Sequence, residues 1–339
     1  MTAAPILAAE ALSVAVPRRR GLAFRPAPRL DILAAASLAV RTGEIVAVVG
    51  ESGSGKTTLG RALVGLARPT GGRIELDGAP LRDFSAASFR PVRDAVALLF
   101  QDPASSFNPR RRVAEIVAEP RRIAGAGGTA PADLAALVEA AGLPAGVLQR
   151  FPHALSGGQA RRVAIARALA QVPRLIIADE PTAGLDVSVQ GGVLNLFIEL
   201  RERHGTAFLL VTHNLAVVRH VADRIAVMYL GRIVESGPAA AVLRTPRHPY
   251  TRALIEAEPV ADPRRRRTAP PILGEVPSLA ARPEGCEFHP RCPLAAPLCR
   301  SEAPAERRLD AGHTVRCHFP LAAGPTIVAA RVADIEKRA

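Results

Sequence analysis

Apolar residues in this chain gather in short unbroken runs separated by glycine, proline and charge. That is the pattern of buried parallel strands alternating with helices, not of half-exposed strands that alternate residue by residue. The first strong run is Glu44-Ile45-Val46-Ala47-Val48-Val49, short and β-branched. A glycine-rich turn follows over 50–55, and a helix is predicted over 56–65 with Leu59, Leu63 and Val64 on its buried face. A strand and turn are predicted at 73–78, and further strands at 95–100, 175–178, 207–211 and 224–228. Helices are predicted at 158–170 and 187–203. Between 104 and 155 strand patterning is weak, and helical stretches such as 133–141 are broken by Gly and Pro, so an inserted helical subdomain is expected over about 102–158. From Thr245 onward Pro, Arg and Gly rise, and 259–271, with its four-Arg run, reads as a linker. The absence of any internal repeat predicts a single α/β unit with an appendage.

Composition changes this picture in one respect. With 339 residues, 48% hydrophobic and 22% charged, the chain has enough apolar material for a substantial core. It has no unbroken apolar run of about 18 residues, so no membrane-spanning helix is expected. Residues 1–16 are apolar but carry Glu10, and their arginines come afterwards; a secretory signal needs its positive charge first, so the segment reads as mature protein. The net charge of +13 comes almost wholly from Arg, in short clusters at 18–20, 110–112 and 264–267. With two Tyr and no Trp, stacking platforms for single-stranded nucleic acid are scarce, and no nucleic-acid partner is expected. The only lysines are Lys56 and Lys337. Lys56 therefore stands out: a compact ammonium in an Arg-using chain, at the end of a Gly-x4-Gly-Lys-Thr loop.

That loop is the first chemical motif. Gly50, Ser52, Gly53, Ser54 and Gly55 provide backbone N–H groups that can ring a β-phosphate, and the following helix adds its positive dipole end. Lys56 neutralises β/γ-phosphate charge, the Thr57 hydroxyl can ligate Mg²⁺, and Thr58 completes the turn into the helix. The second motif is Leu175-Ile176-Ile177-Ala178-Asp179-Glu180, an apolar strand ending in two carboxylates. Asp179 suits Mg²⁺ through its water shell, and Glu180 suits activation of an attacking water as general base. His213, in Val211-Thr212-His213-Asn214, closes another apolar strand, as Gln101 does in Phe100-Gln101-Asp102-Pro103.

Leu155-Ser156-Gly157-Gly158-Gln159 lies between the phosphate loop and the acidic pair. In that position it resembles the signature motif of ATP-binding-cassette (ABC) ATPases. The resemblance implies an α/β P-loop ATPase with a mainly parallel core sheet, an N-terminal antiparallel β part, an inserted helical subdomain and a small C-terminal extension. It divides the chain into an ATPase domain over 1–240 and an extension over 241–339. It makes Gln101 the Q-loop glutamine that meets Mg²⁺ and water, His213 the switch histidine at the γ-phosphate, and Asp186 of Ala183-Gly184-Leu185-Asp186 the D-loop residue bridging two subunits. It also implies that Ser156, Gly157, Gly158 and Gln159 cap ATP held by a partner cassette, so that two cassettes make two composite sites.

The likeness extends to Asn108-Pro109, Phe151-Pro152-His153, Asp186-Val187-Ser188-Val189-Gln190, Tyr229-Leu230-Gly231-Arg232-Ile233-Val234-Glu235, His248-Pro249-Tyr250-Thr251-Arg252-Ala253-Leu254 and Gly274-Glu275-Val276-Pro277. Together these resemble the ATPase subunits of bacterial oligopeptide/dipeptide importers, particularly the second subunit type. That family implies a peripheral protein on the cytoplasmic face of the inner membrane, with a second ATPase subunit, two permease subunits and an extracytoplasmic substrate-binding protein. Two departures are visible. The family's adenine-stacking aromatic has no counterpart in Val14-Ala15-Val16-Pro17, leaving Phe24 as a substitute or base selectivity weak. Ala160-Arg161 replaces the more usual Arg-Gln pair, a change expected to matter little.

All four cysteines, Cys286, Cys292, Cys299 and Cys317, follow the linker. Disulfides are not expected in a reducing compartment, and the spacing fits the tight Cys pairs of structural zinc sites imperfectly. Cys286-Glu287-Phe288-His289-Pro290-Arg291-Cys292-Pro293 resembles the C-terminal element of the peptide-importer ATPases, which implies a [4Fe–4S] cluster on the four thiolates. Zinc and four ordinary thiols stand as alternatives. The expected activity is ATP hydrolysis driving peptide import. The rivals are an importer ATPase for nickel, glutathione or an opine, and a soluble ABC protein acting on nucleic acid or ribosomes.

Overall fold

The structure, a computed structural model, describes residues 4–17, 29–125, 129–258, 272, 274–310 and 312–322. Phe24, the 18–20 and 264–267 arginines, Lys337 and the 259–271 linker lie outside the described residues.

Two long strands open the chain, β1 (Pro5–Pro17) and β2 (Arg29–Arg41), paired antiparallel. Register shifts along this pair, as between Ala9 and Leu12, interrupt the alternation of buried and exposed positions, so the sequence shows only short apolar runs here. The core sheet begins with β3 (Ile45–Val49), whose five residues are all buried. The phosphate loop leads from it into α1 (Lys56–Leu63). Then come β4 (Gly71–Leu76), β5 (Ala79–Pro80), α2 (Arg90–Ala95) and β6 (Val96–Leu99). The first sheet has the order β2-β1-β4-β5.

The helical insertion carries α3 (Val113–Ile123) and α4 (Pro131–Ala140). The α/β alternation resumes with α5 (Gly157–Leu169), β7 (Leu175–Asp179), α6 (Val187–His204), β8 (Ala207–Thr212), α7 (Leu215–Val221) and β9 (Arg224–Tyr229). Strands β6, β7, β8, β3 and β9 run parallel in that spatial order. All residues of β7 and β8 are buried, which accounts for their unbroken apolar sequences.

Beyond β10 (Arg232–Pro238) the chain forms α8 (Ala239–Arg244), α9 (Pro249–Ala257), α10 (Pro297–Ser301) and a hairpin of β11 (Glu306–Asp310) and β12 (His313–Arg316). This hairpin was not foreseen from the sequence. β12 pairs antiparallel with β10, so the C-terminal segment continues the core sheet as β11-β12-β10-β9. A buried polar knot welds it there. The fully buried Glu235 carboxylate accepts from the backbone N–H groups of Arg247 and His248, at 2.7 and 2.9 Å, and pairs with His313 Nε2 at 2.8 Å. A buried carboxylate persists only when its lone pairs are met in this way.

Candidate functional site

Gly50, Glu51, Ser52, Gly53, Gly55, Lys56, Thr57, Thr58, Gln101, Glu180 and His213 line one cavity of about 720 Å³ at the C-terminal ends of the parallel strands. Open parallel sheets present ligand sites at this edge, because the loops leaving the strands diverge there. Gly50 is required at the strand end: a Cβ would stand 2.1 Å from the Met228 carbonyl oxygen. Helix α1 begins at Gly55 in the left-handed region with no side-chain cap, which leaves its first N–H groups available to an anion. Lys56 Nζ meanwhile donates to the carbonyls of Gly50 and Glu51, at 2.8 and 2.9 Å. Burial lowers its pKa, opposed by the nearby charges of Glu180, Asp179 and Glu51.

Asp179 is buried behind the cavity and accepts the Thr57 hydroxyl at 3.1 Å. Burial raises its pKa, and the Thr57 bond opposes that rise. A hydroxyl and a carboxylate joined by a proton are a pair that one Mg²⁺ can separate and bind; Mg²⁺ sites commonly take one or two protein ligands and complete themselves with phosphate and water. Glu180 turns the chain with φ +48°, a conformation that costs energy for a residue with a Cβ and concentrates at functional sites. Its Oε1 meets His213 Nδ1 at 2.7 Å, and Thr212 Oγ1 stands 3.4 Å from Oε2. The carboxylate and the imidazole thus form one unit, a contact the separate sequence motifs did not reveal.

The signature segment stands apart from this cavity. Ser156 caps α5: its hydroxyl accepts from Gln159 N at 3.2 Å, while Gln159 Oε1 accepts from Ser156 N at 3.1 Å. This reciprocal arrangement is a capping box. Gly158 lets α5 pack against the start of α6, where a Cβ would meet Val189 at 2.8 Å, whereas a Cβ on Gly157 would come only to 3.9 Å from Leu185. Asp186 caps α6 through Val189 N at 2.9 Å, a bond that lowers its carboxyl pKa. None of Ser156, Gly157, Gly158, Gln159 and Asp186 lines the cavity around Lys56.

Several contributors escaped the sequence reading. Arg161 donates to the Glu180 carbonyl at 2.8 Å and to the Ala183 carbonyl, tying the signature helix to the acidic strand end. Arg161, one of the two residues that depart from the family's usual pair, thus makes contacts that its sequence neighbourhood did not signal. Ile32, Leu254 and Leu279 supply the apolar wall of the cavity, two of them from beyond residue 240. Glu51 and Tyr250 were also missed: the Glu51 backbone donates to Tyr250 Oη at 2.8 Å.

Cys286, Cys292, Cys299 and Cys317 are free thiols lining one small cavity with Phe288, His289 and His318. Burial pushes Cys286 up to about 12 and Cys317 to about 11, with the other thiols adding to both shifts. As a donor set, four thiols on one cavity suit a soft metal or cluster. Yet among the described residues no group of three or more His, Cys, Asp or Glu is arranged to hold a metal ion. Nor is any helix among them long and apolar enough to cross a membrane.

Comparison with known proteins agrees with this geometry. The chain matches the ABC transporter family over residues 33–183 and the oligopeptide/dipeptide transporter C-terminal region over 234–299. A putative peptide import ATP-binding protein of Brucella abortus (strain 2308) is 47% identical over 288 residues, covering 84% of this chain and 85% of the relative. The di/tripeptide transport ATP-binding protein DppF of Pseudomonas aeruginosa (strain UCBPP-PA14) is 44% identical over 301 residues, covering 88% and 93%. Among solved structures, the dimeric post-hydrolysis ATP-binding cassette MJ0796, bound to ADP and Pi, superposes with a TM-score of 0.61 at 26% identity, covering 69% of this chain and 98% of that one. The chain belongs to the ABC transporter family, as an ATP-hydrolysing subunit that carries the oligopeptide/dipeptide-transporter C-terminal region.

Proposed function

We propose that this chain hydrolyses ATP to power import of di- and oligopeptides through an ABC transporter. The observation that carries the reading is the meeting of residues 50–53 and 55–58, Gln101, Glu180 and His213 around one cavity, in a chain whose C-terminal segment matches that of peptide transporters. Lys56 leaves the loop carbonyls to neutralise the β- and γ-phosphates, while the N–H groups from Gly53 to Thr57 hold the β-phosphate. Thr57, Asp179 and Gln101 would hold Mg²⁺, and the ion would supply charge stabilisation for the phosphate oxygens. Glu180 accepts a proton from the attacking water, and His213, bonded to it, orients the carboxylate and meets the γ-phosphate. The adenine base rests on Ile32, Leu254 and Leu279, an aliphatic platform in a chain whose 14–17 segment offers no aromatic.

The same reading divides the chain into an ATPase domain over 1–240, with its helical subdomain at about 102–158, and an extension over 241–339. Ser156, Gly157, Gly158 and Gln159 cap the ATP of a second ATPase subunit, and Asp186 bridges the pair. Two permease subunits anchor the assembly to the cytoplasmic face of the inner membrane, and an extracytoplasmic binding protein delivers cargo. Cys286, Cys292, Cys299 and Cys317 would hold a [4Fe–4S] cluster. What supports this last assignment is four undisulfided thiols on one cavity, although among the described residues no group of three or more is arranged to hold a metal ion.

The test is anaerobic purification of the tagged chain from native membranes in mild detergent. Co-purification of two permeases and a second ATPase, with iron and sulfide in the preparation, is the expected result. Recovery with ribosomes or nucleic acid would overturn the transport reading, and an iron-free preparation would remove the cluster.

A further inference from the structure

The cysteine-bearing element touches the phosphate loop through one side chain. Arg291 immediately precedes Cys292 and makes two hydrogen bonds to Glu51, Nη1 to Oε2 at 2.7 Å and Nη2 to Oε1 at 3.0 Å. The arginine side chain is 6% exposed and the glutamate 26%, so the pair is only partly reached by water. The guanidinium also lies over the Tyr229 ring, 6.0 Å from its centroid. On the backbone side, Tyr250 Oη receives the Glu51 N–H at 2.8 Å. Tyr229, Tyr250 and Phe288 pack on one another with centroids 4.7 to 5.4 Å apart, so both contacts share one aromatic support.

Glu51 occupies an electrostatically awkward position. It is a carboxylate inside a loop that receives a polyanion, and its charge acts on Lys56. Left unpaired, it would repel β- and γ-phosphates and compete for the ammonium they need. A bidentate guanidinium cancels that charge and fixes the side chain's direction. Tyr250 takes the Glu51 N–H, so the loop's phosphate donors start further along. We propose that Arg291 and Tyr250 are positioning residues for ATP: the C-terminal element neutralises and pins Glu51, and so sets the phosphate loop's affinity. The Glu51 bonds also raise the pKa of Arg291, in keeping with a strongly paired guanidinium. A change at the neighbouring thiol site that displaced Arg291 would thereby weaken nucleotide binding.

The proposal rests on the ATP-site reading, and the experiment separates the two. MgATP binding to the full chain is measured by calorimetry for wild type, Arg291→Ala, Arg291→Lys, Tyr250→Phe, and Arg291→Ala combined with Glu51→Gln, with thermal melts alongside. Arg291→Ala should raise Kd about tenfold, with the penalty shrinking as salt rises. Arg291→Lys and Tyr250→Phe should each raise it by about threefold. Removing the carboxylate as well should bring Kd back to within about threefold of wild type, a rescue that a purely structural role for Arg291 would not permit. Wild-type Kd in Arg291→Ala, or equal losses in the single and double variants, would overturn the proposal while leaving the ATP site intact. Failure of the wild type itself to bind MgATP would overturn the ATP-site reading instead.

Discussion

The phosphate loop and the signature segment are both glycine-bearing helix starts, yet the chain treats them oppositely. The loop ahead of α1 has no side-chain cap, faces Gln101, Glu180 and His213 across a cavity, and is braced from behind by Tyr250 and Arg291. The start of α5 caps itself through Ser156 and Gln159 and shares no cavity with Lys56. The first is an uncapped helix start that opens onto a walled cavity; the second is a self-capped helix start that does not line that cavity. In the proposed function, one chain contributes one half to each of two ATP sites, its loop to one and its signature segment to the other.

The largest effect is expected on the loop side. Glu180→Gln keeps the shape and the His213 neighbour but removes the proton acceptor. Turnover of the assembled transporter should fall by roughly 10²–10⁴-fold with ATP binding retained, measured as phosphate release against nucleotide binding. Near-normal turnover would show that Glu180 is not the base.

Next in size is a pH effect behind the loop. His248 caps α9 by accepting Tyr250 N on Nδ1 at 3.0 Å, which demands a neutral ring, and burial lowers its pKa to about 4, against the opposing charge of Glu235. The unfolded chain, with the ordinary value of 6.5, takes up the proton first as pH falls. The stability from this group is whole above about pH 6.5 and is lost as pH falls towards 4, about 2 kcal/mol of it by about pH 5. Urea melts near pH 7 and near pH 5 should show that loss in wild type and a correspondingly smaller one in His248→Asn, which keeps a cap acceptor without titrating. A pH dependence identical in both proteins would assign the acid sensitivity elsewhere.

The smallest effect concerns the strut between the two regions. Arg161→Gln restores a family-typical residue but gives up the bonds to the Glu180 and Ala183 carbonyls. Stability should drop by about 1 kcal/mol and turnover by less than about tenfold, measured by melts and steady-state hydrolysis. No change in either would return Ala160-Arg161 to the sequence-based expectation of small consequence.

The loop side was legible because its chemistry is contiguous: residues 50–58 and the Asp179-Glu180 strand end announce themselves within windows of a few residues. The signature was legible for the same reason, since the Ser-x-x-Gln spacing that resembles a family motif is also a local capping box. What escaped was long-range. The Arg291 to Glu51 bonds span 240 residues and the Tyr250 to Glu51 bond 199, and no local pattern marks either partner. The β11–β12 hairpin was hidden by an Arg- and Pro-rich texture that reads as loop; its edge position and its Glu235–His313 anchor, not its own propensity, make it strand. The His213–Glu180 contact was invisible because each residue ends a different strand, and only the parallel pairing of β7 with β8 brings those ends together.

In the proposed function, Ser156 serves the ATP of a second subunit, not the nucleotide of its own chain. The most direct test is Ser156→Arg, read two ways: MgATP affinity of the isolated chain, and ATP hydrolysis by the assembled transporter. The expected result is an isolated-chain Kd within about twofold of wild type together with loss of hydrolysis in the assembly. A large loss of affinity in the isolated chain, with its melt unchanged, would contradict it by placing the signature segment on the chain's own nucleotide.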